Sequence, residues 1–155
     1  QAPGAWDLTT GNPSLVVAVI DTGITDHAEF VGRTVPGYDM ISDSRIGNDG
    51  DGRDADPSDP GDWITSTENA SGFFAGCGAS NSSWHGSHVS GTIGAAANNA
   101  TGITGLNWSS KIQMVRALGK CVRSVGRARR RVRRHGLVHG AQGGFDPDRS
   151  LLRAP

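Results

Sequence analysis

The feature that most constrains the fold of this chain is a short run of apolar residues near its amino terminus. Residues 15–20 read Leu-Val-Val-Ala-Val-Ile, so apolar side chains occupy consecutive positions rather than alternate ones. A strand that is apolar on both faces is typical of a parallel sheet with helices on both sides. The run ends at Asp21, and the carboxyl end of such a strand is where α/β folds place their chemistry. We therefore predict a buried parallel strand that leads into a functional site.

Two further segments extend this pattern. In residues 88–97 apolar side chains recur every four positions among small residues, which predicts a tightly packed helix that ends at Asn98 and Asn99. Residues 111–116 predict a second strand. Residues 42–63 carry seven aspartates among Gly, Pro and Ser and predict a long surface loop without regular structure. The order strand, loop, helix, strand predicts a three-layer α/β sandwich.

Charge divides the chain into two parts. Residues 1–121 hold 13 acidic and six basic residues, a net charge of −7, whereas residues 122–155 hold nine arginines and two aspartates, a net charge of +7. We place a domain boundary at 121/122 and treat the remainder as an atypical Arg-rich tail. The tail is either an arm that neutralises nucleic-acid phosphates or sequence from a foreign reading frame. We favour the second, because Lys-free sequence rich in Arg and Gly is typical of a GC-rich gene read out of frame, and we expect no nucleic-acid partner.

The sequence argues against a membrane-spanning protein and against a zinc or redox motif built from cysteines. The apolar run at 15–20 is far shorter than the roughly 20 residues that a membrane-spanning helix needs, so no membrane partner is expected. The two cysteines, Cys77 and Cys121, lack the spacing of a zinc or redox motif. Their number alone leaves open one disulfide or two separate buried thiols.

Asp21 and His85 are the candidate catalytic residues. A carboxylate that accepts from one imidazole nitrogen fixes the tautomer and prepares the other nitrogen as a general base. Either residue alone is weak evidence, since strand-end aspartates often cap turns and most histidines lie on surfaces. Trp84 directly precedes His85, and we expect it to pack beneath the same edge of the sheet.

The residues around these two positions resemble a known family. Residues 17–24, Val-Ala-Val-Ile-Asp-Thr-Gly-Ile, and residues 85–92, His-Gly-Ser-His-Val-Ser-Gly-Thr, resemble the Asp and His signatures of the subtilisin-like serine endopeptidases, in the same chain order. The resemblance implies a subtilisin-like three-layer α/β sandwich with a parallel sheet, incomplete at its carboxyl-terminal side. It also implies a secreted enzyme that cleaves peptide bonds in proteins or peptides, with residues 1–121 as the amino-terminal part of its catalytic domain.

The resemblance assigns roles to single residues. Asp21 would be the orienting carboxylate and His85 the general acid and base. Cys77 and Cys121 would form a disulfide, as cysteines of secreted bacterial members do. His88, three residues further along the predicted helix, would be structural.

The sequence departs from the family at the nucleophile. The motif Gly-Thr-Ser-Met-Ala is absent, as is the Asn-containing segment that supplies the oxyanion hole. The serines that the chain does carry lie in unsuitable contexts, among them Ser87, Ser90, Ser124 and Ser150. Loss of the nucleophile removes a factor of roughly 10⁶ in subtilisin-type catalysis, so we predict no meaningful peptidase turnover by this chain alone.

Calcium is the expected cofactor. Carboxylates alternate with glycines in residues 49–56, a pattern from which oxygen cages for Ca²⁺ are built, although the segment is not an EF-hand. The proposed ligands are Asp49, Asp51, Asp54 and Asp56. A solvated acidic loop is the alternative. The family resemblance suggests a second site that would use Glu29, Asn99 and neighbouring carbonyl groups.

A different class of function competes with the enzyme. The chain would then be a non-catalytic, acidic, calcium-binding module with an Arg-rich nucleic-acid-binding arm. Calcium and nucleic-acid titrations discriminate the two, and the sequence indicates neither the oligomeric state nor the substrate preference.

Overall fold

The structure is a computed structural model, and it describes residues 2–121. Its elements in chain order are α1 (Ala2–Trp6), β1 (Val16–Asp21), a 3₁₀ helix (Ala28–Phe30), β2 (Thr34–Asp39), α2 (Ser44–Gly47), α3 (Ser66–Ala70), α4 (His85–Gly94) and β3 (Lys111–Arg116). The predictions for the tail at 122–155 lie outside the described residues. None of the helices between residues 2 and 121 has the length and apolar character that a bilayer crossing requires.

The three strands form a parallel sheet in the order β1-β3-β2. Strand β3 therefore lies between the other two, and α4 belongs to the long connection that runs from β2 to β3. Asp21 of β1 and Asp39 of β2 both pair in register with Arg116 of β3. Because the strands are parallel, their last residues meet at one edge of the sheet.

The core lies between one face of the sheet and α4. Val19 of β1 and the β3 residues Ile112 and Met114 are buried there, and Val89 and Ile93 of α4 pack against them. The opposite face of β1 is open in the described part of the chain, since Val16 is 50% exposed and Ile20 is 68% exposed. The sequence predicted burial of both faces. The difference arises because β1 is an edge strand among the described residues and α4 covers one face only.

Helix α4 lies three residues earlier than the sequence predicts. It ends at Gly94 rather than at residue 97, because the buried guanidinium of Arg33 occupies its carboxyl end. Arg33 donates from Nε to the Gly94 carbonyl (2.9 Å) and from its two Nη atoms to the carbonyls of Asn107 and Trp108 (2.8 and 2.6 Å). A cation at this position also offsets the negative end of the helix dipole. Burial lowers the pKa of Arg33.

The predicted loop at 42–63 contains one short helix, so the prediction that it holds no regular structure is wrong. Asp43 is the N-cap of α2, and its carboxylate accepts from the backbone N–H of Arg45 at 3.0 Å. Just after this segment, Thr65 and Glu68 form a reciprocal capping box that begins α3. Both helices therefore begin at side chains that satisfy otherwise unpaired N–H groups.

Candidate active site

The structure brings the two candidate catalytic residues into contact. His85 Nδ1 lies 2.8 Å from each carboxylate oxygen of Asp21. Because a carboxylate only accepts, Nδ1 carries the proton and Nε2 is left as the basic nitrogen. Within residues 2–121 no hydrogen bond involves Nε2. This arrangement can accept a proton from a hydroxyl group that approaches Nε2.

The two partners differ in exposure. The Asp21 side chain is 10% exposed, whereas the His85 side chain is 60% exposed. The backbone N–H of Thr22 also donates to Asp21 Oδ1 at 2.7 Å. The carboxylate is therefore buried and fixed by hydrogen bonds, whereas most of the imidazole is accessible to solvent.

The start of α4 explains how His85 reaches this position. The N-cap residue Trp84 has a left-handed backbone (φ 50°, ψ 31°) and makes no side-chain capping bond. The hydroxyl of Thr22 supplies the missing acceptor, since the Gly86 N–H donates to its Oγ1 at 3.0 Å. A Cβ on Gly86 would lie 2.2 Å from the Gly23 carbonyl oxygen, so only glycine permits this approach. The helix consequently begins against the end of β1.

Thr22, Asp59 and Arg116 are structural partners of the site that the sequence analysis missed. Thr22 Oγ1 donates to Asp59 Oδ2 at 2.7 Å, and Arg116 Nε donates to the Thr22 carbonyl at 3.1 Å. Thr22 directly follows Asp21, and Arg116 is the last residue of β3. These positions at strand ends were a signal that the sequence offered. Asp59 carries no local signal, because it is one of seven aspartates in residues 42–63.

Arg116 is the central cation beneath this edge, with 1% of its side chain exposed. Its guanidinium contacts the carboxylates of Asp39 and Asp49 and the carbonyl of Gly47. Burial raises the pKa of Asp39. For Asp49 burial acts in the same direction but is outweighed by the hydrogen bond and charge of Arg116, so the pKa of Asp49 is lowered.

The four aspartates of the first predicted calcium site do not converge. Asp49 is paired with Arg116, and Asp54 and Asp56 each accept from a backbone N–H two residues further on. Hydrogen bonds from Ser58 lower the pKa of Asp56. Asp51 uses its N–H to donate to Asp49. Among residues 2–121 no three acidic, histidine or cysteine side chains are grouped as a metal site, so this set does not fit one ion.

The second predicted calcium site has a different character. Glu29 is 6% exposed, and its two oxygens accept from Asn99 Nδ2 (3.4 Å) and from the Ile103 N–H (3.2 Å). No cationic side chain in the described part of the chain pairs with this carboxylate. Glu29 therefore retains lone pairs that the protein does not satisfy.

The cysteines are joined. Cys77 and Cys121 form a disulfide that closes a loop with a sequence separation of 44. Next to it, the buried Lys120 ammonium pairs with Glu68 Oε1 at 2.6 Å and lies over the rings of Trp63 and Phe74. The disulfide and the ion pair both link the 65–77 segment to the residues that follow β3.

The expectation for Trp84 is wrong. Its indole does not pack beneath the catalytic edge but is partly exposed, and with Trp63 it lines an open groove of about 730 Å³. Trp84 is the N-cap of α4 with a left-handed backbone, and the Thr22 hydroxyl, not the indole, contacts the start of the helix.

Neither serine of the His85 segment is placed to act as a nucleophile. Ser87 Oγ is engaged with the N–H and hydroxyl of Thr25, at 2.9 and 3.0 Å. Ser90 is fully buried in α4. Ser124 and Ser150 lie outside the described residues.

Comparison with known proteins gives a consistent result. The model of the subtilase family matches residues 12–131. The chain is 50% identical over 117 residues to an extracellular protease of Xanthomonas campestris pv. campestris and 42% identical over 129 residues to an extracellular basic protease of Dichelobacter nodosus. A solved protease structure from Pseudoalteromonas arctica superposes with a TM-score of 0.69 at 48% identity and covers 77% of this chain.

The shared region is a minor part of those proteins. It covers 76% and 78% of this chain but 19% and 20% of the two relatives, and 34% of the solved structure. The predicted α/β class with a parallel sheet is confirmed by this structural similarity. The family resemblance seen around residues 17–24 and 85–92 is confirmed by the match over residues 12–131, well over half of the sequence: the chain belongs to the subtilase family.

Proposed function

We propose that this chain carries two of the three catalytic residues of a serine endopeptidase. The hydrogen bond between the buried Asp21 carboxylate and the exposed His85 imidazole is the observation that supports it most strongly. Asp21 holds the Nδ1 proton and favours the imidazolium that forms during the reaction. His85 Nε2 accepts the proton of a serine hydroxyl as that oxygen attacks a peptide carbonyl, and it then donates the proton to the leaving amine.

The nucleophile is the part that the 155 residues do not provide. The Gly-Thr-Ser-Met-Ala motif is absent, and Ser87 and Ser90 are engaged or buried. Hydrolysis therefore requires a serine and an oxyanion hole from outside this sequence, and the chain alone should show no turnover.

A chimera tests this proposal. Residues 1–121 are joined to the corresponding carboxyl-terminal remainder of the Xanthomonas campestris extracellular protease, and hydrolysis of an unfolded protein substrate is measured. We expect activity in the chimera and none in the present chain. His85→Ala should lower kcat by roughly 10⁶-fold and Asp21→Asn by roughly 10⁴-fold, the scale of triad losses in serine proteases.

His88→Ala is the matched control, because His88 is an exposed histidine one turn along the same helix. Its effect should remain below about tenfold. Hydrolysis that survives His85→Ala, or that is lost equally in His88→Ala, contradicts the assignment.

We further propose that the substrates are proteins or peptides and that the enzyme acts outside the cell. Two relatives are named extracellular proteases. The disulfide supports the same compartment, since disulfides persist mainly in oxidising environments. The competing idea of a non-catalytic module with a nucleic-acid-binding arm is not favoured, since the relatives are named proteases. The arm itself lies beyond the described residues.

Calcium binding is proposed at Glu29 and not at the aspartate-rich loop. The Glu29 carboxylate is buried without a paired cation in the described residues, its contacts being the Asn99 amide and the Ile103 N–H, and carboxylate oxygens are preferred ligands of Ca²⁺. The ion would stabilise the folded chain rather than take part in hydrolysis. At a free concentration of 100 times Kd it should add about 2.7 kcal/mol to the free energy of unfolding.

Thermal unfolding with Ca²⁺ and with a chelator tests the site. Glu29→Gln should abolish the calcium-dependent rise in Tm, while Asp51→Asn, a matched change in the exposed acidic loop, should retain it. If Asp51→Asn loses the calcium-dependent rise in Tm and Glu29→Gln keeps it, calcium binds at the aspartate-rich loop and not at Glu29.

A further inference from the structure

Thr22 forms hydrogen bonds with four other residues at the candidate active site. It is 4% exposed, and all its polar groups are engaged. Its N–H donates to Asp21 Oδ1 (2.7 Å) and its carbonyl accepts from Arg116 Nε (3.1 Å). Its hydroxyl donates to Asp59 Oδ2 (2.7 Å) and accepts from the Gly86 N–H (3.0 Å).

The direction of these bonds follows from the chemistry of the groups. A hydroxyl has one proton, and the Asp59 carboxylate can only accept, so that proton points to Asp59. The lone pairs of Oγ1 then face the Gly86 N–H, which can only donate. Asp59 thus sets the rotation of the hydroxyl, and its own Oδ1 is held by the Gly61 N–H at 2.9 Å. Burial raises the pKa of Asp59, while the bonds from Thr22 and Gly61 act in the opposite direction.

This link is adjacent in sequence to both catalytic groups. Thr22 follows Asp21, and Gly86 follows His85, so the bond from Gly86 to Thr22 fastens the backbones that carry the carboxylate and the imidazole. The N-cap residue Trp84 gives the helix no side-chain acceptor, and the hydroxyl of Thr22 takes over that role. The backbone approach at Gly86 leaves no space for a Cβ, so the two segments are in direct contact.

From this geometry we infer that Thr22 and Asp59 act as positioning residues that fix the start of α4 so that His85 Nδ1 stays within hydrogen-bonding distance of Asp21. The inference rests on the proposed function, because it concerns the same imidazole and carboxylate. Neither residue touches the reacting atoms. Each acts through the Gly86 backbone and therefore through the placement of His85.

The test uses the full 155-residue chain and needs no hydrolysis. The ¹H NMR signal of the His85 Nδ1 proton moves far downfield and exchanges slowly when the imidazole donates to a carboxylate. Thr22→Val removes the hydroxyl at nearly constant shape, and Asp59→Ala removes its acceptor. We expect the downfield signal to be lost to exchange in Thr22→Val and broadened in Asp59→Ala, with the methyl signals of Ile112 and Met114 unchanged.

Two variants are expected to keep the signal. Thr22→Ser retains the hydroxyl and should rescue the resonance. Thr25→Val is the matched control, since Thr25 also bonds α4 through its hydroxyl, but to the Ser87 side chain instead of a backbone N–H.

The inference is overturned by an unchanged signal in Thr22→Val or by equal loss in Thr25→Val. It is also overturned if both Thr22→Val and Asp59→Ala lose the signal only together with the core methyl signals, because the pair would then serve stability alone. These outcomes are independent of the chimera, so a chimera without peptidase activity refutes the proposed function and leaves this result intact. In an active chimera Thr22→Val should lower kcat by up to about 10²-fold with KM little changed, as misplacement of a catalytic group does.

Discussion

Replacement of Arg116 by methionine should cause a large loss of stability. Arg116 and Asp39 each have 1% of their side chain exposed, so the methionine variant leaves a buried carboxylate without its cation. Breaking a buried pair from one side costs about 3–5 kcal/mol. The carbonyls of Thr22 and Gly47 also lose their guanidinium donors, which keeps the expected loss at the upper part of that range.

The measurement is equilibrium unfolding in urea, followed by tryptophan fluorescence and circular dichroism with the disulfide intact. A domain of this size has a free energy of unfolding of about 5–15 kcal/mol, so the loss is a large fraction of the total. The loss should shrink as the pH falls, because burial already raises the pKa of Asp39 and an unpaired buried carboxylate gains more from protonation. Arg116→Met combined with Asp39→Asn should recover part of the stability for the same reason.

Arg53→Met is the control, because this exposed arginine donates a hydrogen bond to the Met40 sulfur and forms no salt bridge among the described residues. Its effect should stay within about 0.5 kcal/mol. The reasoning fails if Arg116→Met costs less than about 1 kcal/mol, or if it costs no more than Arg53→Met.

Two further predictions concern the segment that the disulfide closes. Replacing Cys77 and Cys121 by alanine should lower the free energy of unfolding by about 4 kcal/mol, the chain-entropy value for a loop of 44 residues; a loss below about 1 kcal/mol in urea unfolding would contradict it. The hydrogen bond from Lys120 lowers the pKa of Glu68 to about 2, so the ion pair should stabilise the chain fully above about pH 4.5 and lose its effect as the pH falls toward 2. Because Glu68 is partly exposed, Glu68→Gln should cost only about 1 kcal/mol at pH 7, and a cost that persists at pH 2 would refute the ion pair as its origin.

The three elements that the sequence predicts are those with a strong local pattern. The consecutive apolar residues of β1 and the alternation of β3 give these strands to within one residue, since Lys111–Arg116 agrees and Val16–Asp21 is shifted by one. The sequence predicts α4 as a helix, but it places the helix three residues too far along the chain. Its ends are set by Thr22 at the start and Arg33 at the finish, and both lie far away in sequence.

Strand β2 was not predicted, and its sequence explains why. Pro36 and Gly37 read as a turn, and the pairing with β3 is irregular between Val35 and Tyr38. Gly37 is needed there because a Cβ would lie 2.2 Å from the Met114 carbonyl oxygen. The strand is therefore maintained by its contact with β3, which no local pattern reveals.

The residues of the candidate site also differ in whether the local sequence identifies them. Asp21 and His85 could be named because each stands in a continuous segment, residues 17–24 and residues 85–92, that resembles a signature of the family. Asp59 and Asp49 stand in one acidic run, yet one orients the Thr22 hydroxyl and the other pairs with Arg116. Tertiary contacts alone assign these roles, which is why four alternating aspartates suggested a calcium site that the structure does not assemble.

Within the part of the chain that the structure describes, the contacts that place His85 beside Asp21 lie between residues 21 and 116. They comprise the Thr22 link to Gly86, its anchor at Asp59 and the support from Arg116. The imidazole and carboxylate are thus paired by this segment itself, without any group from the nucleophile side of the family's site. It follows that the placement of the histidine and the supply of the serine are separable. The first can be followed by the Nδ1 proton in the present chain, and the second only by turnover in the chimera.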